Sequence, residues 1–418
     1  MSAPTGRPST RWVVAMSVLG AASLGWLLVE VWRVTWHRAQ LDLAVYVLGA
    51  HHLTDGRLYT VGLPTAPHLP FTYPPLSADL FVPVAHLPRQ AAQLVWAGLN
   101  ITSLFAILVL SLRAVRPGMD RSGLVLWSLV LLGPSYLLDP VRLTFYFGQV
   151  NLVLTALLLV DLTAVVRIGR NALPRGVLVG VAAAVKLIPL VFVPFLLVTG
   201  RVRAAMVALA SFAVCTLLAA AVDPAVSWSY WTRYATDAAR VGNPSYYLNQ
   251  SLLGAAARLA HRHLTPALVD AAAVVVLVAG MALARWAWRD SSPFLGILVC
   301  AATGMVVSPI TWEHHMVWAV PILLWLCLAS DRPVGGRLYA AGAAVVLWWA
   351  PIGRVPDTPG RELDEHGWSL LAGDAFFGLT VLFLVGVAVL LGMRRRRARH
   401  GPSVSAPPSP VPSTAAAT

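Results

Sequence analysis

The chain has 418 residues, of which 58% are apolar and only 12% are charged, whereas soluble domains are about 25% charged and about 45–50% apolar. This composition excludes a soluble globular enzyme and a disordered protein, and it indicates a membrane protein. The net charge of +13 does not indicate nucleic-acid binding, because most arginines fall in short loops between apolar stretches.

Long apolar stretches recur along the chain and predict membrane-spanning helices, because about 20 apolar residues are needed to cross a bilayer. One further stretch, 176–199, is interrupted by Lys186 and two prolines, and it predicts a broken hairpin with arms at about 176–187 and 188–199. Counting both arms, we expect an all-α polytopic membrane protein with about 12 transmembrane helices. The uninterrupted spans lie at about 12–34, 92–112, 123–138, 148–167, 204–222, 266–286, 293–308, 316–330, 338–352 and 371–392.

The arginines predict how the helices are oriented, because cytoplasmic loops retain Lys and Arg. Of the 30 arginines, 19 fall in the N-terminal segment, in short loops on one side and in the C-terminal tail. We therefore expect both termini in the cytoplasm and two large outer loops, at 35–91 and 223–265. The chain divides into a cytoplasmic tail at 1–11, a membrane domain at 12–392, and a basic and then disordered cytoplasmic tail at 393–418.

The first outer loop begins with a predicted amphipathic helix. Asp42, Tyr46 and Gly49 recur at the spacing of one helix face, beside an apolar stripe, which is typical of an interfacial helix lying against the membrane. Asp42 either starts this helix, where it favours the N-terminal dipole, or supplies a functional carboxylate. Downstream, the segment FTYPPL, which contains Tyr73, is a proline-stiffened turn that either lines a cleft or simply re-enters the membrane.

Two short segments rich in amide side chains precede predicted helices. Gln149 and Asn151, in GQVN, begin an otherwise apolar span, and they either cap it or bind sugar hydroxyls. Asn249, Gln250 and Ser251 precede a short amphipathic helix, and they either cap that helix or bind a hydroxyl-rich ligand. The segment before them is rich in Trp and Tyr, which predicts an interfacial anchor.

Lys186 is the only lysine in the chain and lies inside an apolar segment, KLIP, at the predicted break. A lysine at the centre of a membrane helix costs about 2.5–3.5 kcal/mol, so it normally has a partner or a function. The structural interpretation is pairing with Asp161 or Asp374. The functional interpretation is binding of an anionic lipid phosphate.

The segment SPITWEHH lies between two predicted spans, in a short outer loop. It contains Trp312, Glu313, His314 and His315. A zinc site is not favoured, since adjacent histidines point apart and no HExxH spacing is present. The histidines either hydrogen-bond to the backbone at the interface or interact with a proton or a phosphate, because imidazole titrates near neutral pH.

Taken together, these six segments resemble those of a known family. The Asp42–Tyr46 helix, FTYPPL, GQVN, KLIP, NQS and SPITWEHH occur in this order on the predicted outer face. From about residue 12 to residue 392, the chain is similar to the polyprenol-phosphate-mannose-dependent α-(1→2)-mannosyltransferases of actinobacteria, the glycosyltransferase family 87 type. The resemblance implies a GT-C fold whose catalytic domain is 12–392, with amphipathic helices in its large first outer loop.

The resemblance implies inverting transfer of mannose from polyprenyl-phosphate-mannose to a hydroxyl of a mannose-containing, lipid-linked acceptor, such as a phosphatidylinositol mannoside or lipomannan, at the outer face of the plasma membrane. In enzymes with this fold the general base is typically an Asp of the first outer loop, and Asp42 occupies that place. A histidine of SPITWEHH, His315 with His314 as the second choice, is implied to contact the donor phosphate or its sugar. Lys186 is expected to steady the phosphate.

The other expected substrate-binding residues are aromatic, amide or acidic side chains of the same segments: Tyr46, Tyr73, Gln149, Asn151, Asn249, Gln250, Trp312 and Glu313. Because no DxD motif lies near Asp42, we expect neither a divalent cation nor another cofactor. The expected partners are the donor, the acceptor and membrane lipids, without nucleic acid. The sequence indicates neither the acceptor glycan nor the oligomeric state.

Two rival functions share these features. A transporter or flippase of a lipid-linked sugar also has many spans, a broken helix and a buried charged residue, but transporters commonly have two matching halves, and 204–392 contains no counterpart of KLIP. The second rival is a GT-C transferase that uses another polyprenyl-phosphate sugar, such as arabinose or glucose.

Overall fold

In a computed structural model, the protein is described over residues 9–38, 40–65, 67–164, 166–168, 170–356 and 360–399. Of the two predicted tails, residues 1–8 and 400–418 lie outside these described residues. The part of each tail that is described is helical, because the first helix begins at Thr10 and the last one continues through the arginine run to Arg399.

Within the described residues the protein is mostly helical, as its composition predicts. The α-helices are α1 Thr10–His37, α2 Leu41–His51, α3 Pro75–Ala85, α4 Arg89–Val115, α5 Arg121–Tyr136, α6 Asp139–Phe147, α7 Asn151–Thr163, α8 Val177–Val185, α9 Phe192–Val198, α10 Val202–Val222, α11 Pro224–Ser229, α12 Leu252–Ala260, α13 Pro266–Asp290, α14 Pro293–Val307, α15 Ala319–Leu328, α16 Gly336–Trp349, α17 Trp368–Gly373 and α18 Ala375–Arg399.

Short segments of other structure connect these helices. Two two-residue strands, β1 (Arg167–Ile168) and β2 (Asn171–Ala172), pair antiparallel with Arg167 opposite Ala172, so the fold is not purely α-helical. The 3₁₀ turns are Ile188–Val191, Ala238–Arg240, Glu313–Trp318 and Pro351–Arg354, and Tyr230–Tyr234 forms a π turn.

Five helices in the described ranges, α1, α4, α10, α13 and α18, are long and apolar enough to cross a membrane, and the pair α5–α6, bent by 80°, counts as a sixth. Large apolar side chains on these helices point outward, for example Leu217 and Val275, as expected where lipid replaces water. The protein is therefore an integral membrane protein. Helices also occupy the other predicted spans, but several are shorter, so the number twelve stays a prediction.

The segment 176–199 is broken at the lysine, as predicted. Helix α8 ends just before Lys186, whose backbone is extended (φ −152°, ψ 131°), and a 3₁₀ turn leads into α9. Pro189 enforces the break, because its ring removes an N–H and collides with the preceding helical turn. Both arms pack on α10, and Arg175 and Arg201, which flank the segment, line the same cleft. The segment therefore enters and returns at one end of the helix bundle.

Close packing of α8 on α10 depends on two glycines. A Cβ at Gly176 would collide with the carbonyl of Ala204, and a Cβ at Gly180 would collide with the backbone at Ala208 and Phe212. Gly176, at the start of α8, meets Ala204, and Gly180, one turn later, meets Ala208 and Phe212, so the two helices run parallel. This contact fixes the position of Lys186 along the axis of α10, because Lys186 follows α8 directly.

Helix α2 packs inside the protein. Leu43, Tyr46 and Gly49 are buried, a side chain on Gly49 would collide with the ring of Phe71, and the ring of Tyr46 stacks on Phe81 of α3 with centroids 4.4 Å apart. This differs from the predicted position against the membrane surface, because α3 and the FTYPPL turn cover the face that the membrane was expected to cover.

The contact between α8 and α10 leads to a first prediction. We expect Gly180→Ala to lower the melting temperature of the purified protein by several degrees, because the new methyl group meets backbone atoms of α10 that cannot move aside. Gly342→Ala, at a helical glycine with open space around it, is the matched control and should keep or slightly raise the melting temperature. Equal melting temperatures for both variants would contradict the close contact.

Candidate active site

The GQVN turn fixes the start of α2. Gln40, in the left-handed region at φ 48°, donates from Nε2 to the carbonyl of Phe145 at 2.9 Å. Gly148 has φ +70°, and a Cβ there would lie 2.7 Å from Cβ of Leu43, so only glycine permits this approach. The indole of Trp96 donates to the carbonyl of Gly148 at 2.7 Å. These contacts hold the first turn of α2, and therefore Asp42, against the start of α7.

Asp42 belongs to a small network of polar side chains. Its carboxylate accepts a hydrogen bond from the side chain of Gln149. The Tyr46 hydroxyl donates to Oε1 of Gln149 at 3.0 Å, and Nε2 of Gln149 donates to the Tyr73 hydroxyl at 3.2 Å. The two tyrosine hydroxyls are themselves 3.2 Å apart. Four of the residues predicted from the sequence therefore contact one another.

The environment of Asp42 suits it to accept a proton. Burial raises the pKa of Asp42 to about 6, although the hydrogen bond from Gln149 and the positive charge of Lys186 oppose that shift. A carboxylate whose pKa lies close to the working pH combines a useful ionised fraction with a stronger affinity for the proton. Such a carboxylate is a candidate general base.

Lys186 joins this network to the C-terminal half of the protein. Its ammonium donates to Oδ1 of Asn151 at 2.9 Å and lies 2.9 Å from Nε2 of His315, and it is 5.5 Å from the ring centre of Tyr73. The side chain is only 8% exposed. An ammonium has three N–H donors, so these two contacts leave one donor for an anionic ligand.

The two carboxylates expected as structural partners of Lys186 are occupied elsewhere. Asp161 accepts from the backbone N–H groups of Gly176, Leu178 and Val179 at 2.7–3.0 Å and thus caps α8. Asp374 forms an ion pair with the fully buried Arg258. The prediction that Lys186 pairs with Asp161 or Asp374 is therefore wrong.

The 3₁₀ turn 313–318 brings His315 into the site. Nδ2 of Asn151 donates to the carbonyl of His314 at 2.9 Å, which anchors the turn to the start of α7. The ring of His315 reaches Lys186, whereas the ring of His314 packs on Phe147 with centroids 5.5 Å apart and has no hydrogen bond to the described residues. Of the two histidines, the geometry favours His315.

A cavity of about 750 Å³, here called cavity A, opens beside Lys186. Tyr73, Lys186, Trp312 and His315, here called its polar end, line it, and 8 of the 13 lining residues from 235–270 are apolar, the others including Asp237 and Asp270. Asp42 does not line cavity A, but Gln149 connects it to Tyr73, which does. Cavity A therefore combines a cation and aromatic rings with a long apolar wall.

Glu313, on the same turn as His315, faces a different cavity. It lines a space of about 790 Å³, here called cavity B, together with residues of α6 and of the end of α16. The prediction placed the substrate-binding residues Trp312 and Glu313 and the catalytic candidate His315 together in one segment. The structure instead divides this segment between the two cavities.

Asn249 and Gln250 lie away from both cavities. Asn249 is fully buried, donates to the carbonyls of Pro244 and Pro309, and accepts from two backbone N–H groups. Gln250 bonds to Gly373 and to the start of α18. Their expected role in substrate binding has no support in this placement, because neither residue lines either cavity and their side-chain polar atoms bond to other groups of the protein. Ser251 caps α12, which was the alternative interpretation.

A tyrosine cluster in the wall of cavity A was not predicted from the sequence. Tyr230 and Tyr234 line the cavity and pack on Tyr59 of the first outer loop, with ring centres 5.4 and 5.0 Å apart. The aromatic segment predicted an interfacial anchor, which the largely exposed Trp228 fits. Contacts between loops that are more than 150 residues apart cannot be read from local spacing.

Among the described residues, no group of three or more His, Cys, Asp or Glu is arranged to hold a metal ion.

Comparison with known proteins identifies a family. Residues 71–309 match the profile described as Glycosyltransferase family 87. A protein of Mycobacterium tuberculosis named polyprenol-phosphate-mannose-dependent alpha-(1-2)-phosphatidylinositol mannoside mannosyltransferase is 35% identical, over 91% of this chain and 92% of its own length. The protein of the same name from Mycolicibacterium smegmatis is 31% identical, over 92% of this chain and 90% of its own length.

A further relative bears a different name. A Mycobacterium tuberculosis protein named polyprenol-phosphate-mannose-dependent alpha-(1-2)-phosphatidylinositol pentamannoside mannosyltransferase is 34% identical over 73% of this chain and 70% of its own length. No solved structure matches the chain.

The contact between Lys186 and Asn151 gives a second prediction. We expect Asn151→Leu to lower the free energy of unfolding by about 1–3 kcal/mol, because it removes an acceptor from a buried ammonium. Asn100→Leu is the matched control: Asn100 is equally buried, but its side chain donates only within its own helix and its oxygen has no partner among the described residues. Thermal unfolding in detergent measures both variants, and an equal loss in the control would contradict the assignment.

Proposed function

The chain belongs to glycosyltransferase family 87, and we propose on this basis that it transfers mannose from polyprenyl-phosphate-mannose to a hydroxyl of a mannose-containing, lipid-linked acceptor. The product linkage is α-(1→2), and the acceptor is a phosphatidylinositol mannoside, a lipomannan or a similar glycolipid. The names of the relatives support the donor and the phosphatidylinositol mannoside acceptor.

One observation carries the proposal: a partly buried carboxylate, Asp42, lies within electrostatic reach of a buried ammonium, Lys186, which lines a largely apolar cavity. The apolar wall of cavity A suits an isoprenoid chain, and Lys186 at its polar end suits a phosphate, since ammonium–phosphate hydrogen bonds are charge-assisted. Asp42 lies within electrostatic reach of Lys186. The carboxylate and the cation supply the two functions that sugar transfer from a lipid phosphate requires.

In the proposed reaction, Asp42 accepts the proton of the acceptor hydroxyl while the hydroxyl oxygen attacks the anomeric carbon of mannose. The bond between that carbon and the phosphate oxygen breaks, and polyprenyl phosphate leaves with the bonding electron pair. Lys186, with His315 beside it, offsets the charge that develops on the leaving phosphate. Because the hydroxyl attacks opposite the leaving group, a β-linked donor gives an α-linked product.

The proposal places the site at the outer face of the plasma membrane, with both termini in the cytoplasm. The residues of the site come from the helix ends opposite the arginine-rich loops. Helix α7, for example, begins at Asn151 and ends shortly before Arg167, and α8 leads from Arg175 to Lys186. If arginine-rich loops are cytoplasmic, these opposite ends face outward.

The third prediction concerns Asp42. We expect membranes carrying Asp42→Asn to transfer mannose from polyprenyl-phosphate-mannose at least about 100-fold more slowly than wild type, because the amide cannot accept the proton. Asp55→Asn, at an exposed carboxylate of the same loop that pairs with His52 and Arg57, is the matched control and should stay close to the wild-type rate.

A wild-type rate for Asp42→Asn would refute the assignment of the base. Transfer from a polyprenyl-phosphate-arabinose donor, with none from the mannose donor, would instead support a related transferase. Movement of the lipid-linked sugar across vesicles, without formation of a glycosidic bond, would support a transporter.

The fourth prediction follows from the pKa of Asp42. Since burial raises that pKa to about 6, the base is protonated and inactive below pH 6 and ionised above it, so kcat/KM should fall about tenfold per pH unit below 6. The titratable groups that face Asp42 are Tyr46, Tyr73, Lys186 and Glu313. The residual activity of Asp42→Asn must therefore lack this acidic limb, and a limb that persists in the variant would assign it to another group.

A further inference from the structure

Cavity B lies on the opposite side of the 313–318 turn from cavity A. His315 of the turn lines cavity A, whereas Glu313 lines cavity B. Within the described residues, the two cavities have no lining residue in common. Asp42 lies within electrostatic reach of Lys186, which lines cavity A, and of Glu313, which lines cavity B. The candidate base thus interacts electrostatically with a residue of each cavity, although it lines neither of them.

Glu313 offers a hydrogen-bond acceptor to a ligand in cavity B. Its side chain is only 3% exposed, and Oε2 has no hydrogen-bond partner among the described residues. The other oxygen, Oε1, lies 4.0 Å from Nδ1 of His314. Burial raises the pKa of Glu313 to about 8. A buried carboxyl oxygen without a donor is costly, and a sugar hydroxyl can supply that donor without adding charge.

The opposite wall of cavity B is aromatic and basic. Tyr146, Trp348 and Trp349 line it, and aromatic rings suit the apolar faces of sugars as well as the lipid interface. Two arginines line it too. Arg142 forms an ion pair with the buried Asp139, and Arg354 lies over the ring of Trp349 at 4.8 Å and donates to nearby backbone carbonyls.

A guanidinium has five N–H donors, so neither arginine is saturated by these contacts. Arginine is well suited to a phosphate, because its fork of donors matches the phosphate oxygens. The combination of a free carboxylate oxygen, aromatic rings and two arginines therefore fits an anionic polyol better than a neutral lipid or a peptide.

We propose that cavity B is the acceptor site and that it binds the head group of a phosphodiester-linked mannolipid. Glu313 accepts a hydrogen bond from a mannose hydroxyl, and Arg142 and Arg354 face the phosphodiester. The donor occupies cavity A, so the turn 313–318 separates the two lipids and Asp42 lies where their sugars meet. This inference rests on the proposed transferase function, and it adds which cavity takes which substrate.

The fifth prediction tests this division by measuring KM for donor and acceptor separately. Two acceptors are compared, a phosphatidylinositol mannoside and a phosphate-free alkyl α-mannoside. We expect Arg354→Gln to raise KM for the phosphatidylinositol mannoside about tenfold or more, which is the usual effect of losing a charge-assisted hydrogen bond. KM for the alkyl mannoside and for the donor should not change. Arg361→Gln, at an exposed arginine of the same loop that pairs with Asp364, is the matched control.

A second variant tests the carboxylate. Glu313→Leu, which removes both oxygens, should raise KM for both acceptors, since both carry the mannose hydroxyl, and it should leave KM for the donor unchanged. Lys186→Gln should show the reverse pattern, with a raised KM for the donor and weaker inhibition by polyprenyl phosphate. Melting temperatures confirm that each variant is folded, and Arg354 is exposed, so its replacement leaves the core intact.

The outcomes separate the two proposals. If the wild-type protein transfers mannose but Arg354→Gln and Glu313→Leu change KM for the donor, or Arg354→Gln affects both acceptors equally or neither of them, cavity B is not the phosphodiester site. If the wild-type protein transfers mannose to neither acceptor, the transferase proposal itself fails.

Discussion

A single buried ammonium organises the centre of this protein. Lys186 cannot be placed in an apolar bundle unless other groups accept its protons, and the acceptors come from two segments far apart in sequence, Asn151 at the start of α7 and His315 on the turn 313–318. The helix break at Lys186, the parallel contact of α8 with α10 and the anchoring of the turn by Asn151 all serve this requirement. The same ammonium keeps one N–H donor for a ligand. Lys186 therefore both restricts how the helices can pack and provides a group that can bind an anion.

The two cavities explain why a short turn carries so many polar residues. On the turn 313–318, Glu313 lines cavity B and His315, two residues later, lines cavity A. A transfer between two lipids needs two binding sites that meet at one reactive point, and it needs a wall that keeps the sites distinct. The position of Asp42, held by the GQVN turn within electrostatic reach of both walls, meets both needs.

Local patterns in the sequence predicted part of this arrangement. The apolar stretches located the helices, the lone lysine beside prolines located the break, and the spacing of Asp42 and Tyr46 located one face of α2. Contacts between distant segments were not predictable in the same way. The burial of α2 depends on α3, the tyrosine cluster joins Tyr59 to Tyr230, and Asn249 forms its bonds with the loop after α14. The amide side chains of Gln149 and Asn249 cannot be distinguished by local sequence pattern. Only tertiary contacts show that Gln149 bonds to Asp42 whereas Asn249 joins two loops.

The spacing of these contacts along the chain also bears on biosynthesis. Lys186 precedes His315 by 129 residues, whereas Asn151 and Tyr73, which it also contacts, are synthesised before it. The contacts around the ammonium are therefore complete only once the turn 313–318 is in place, after α14 has been synthesised.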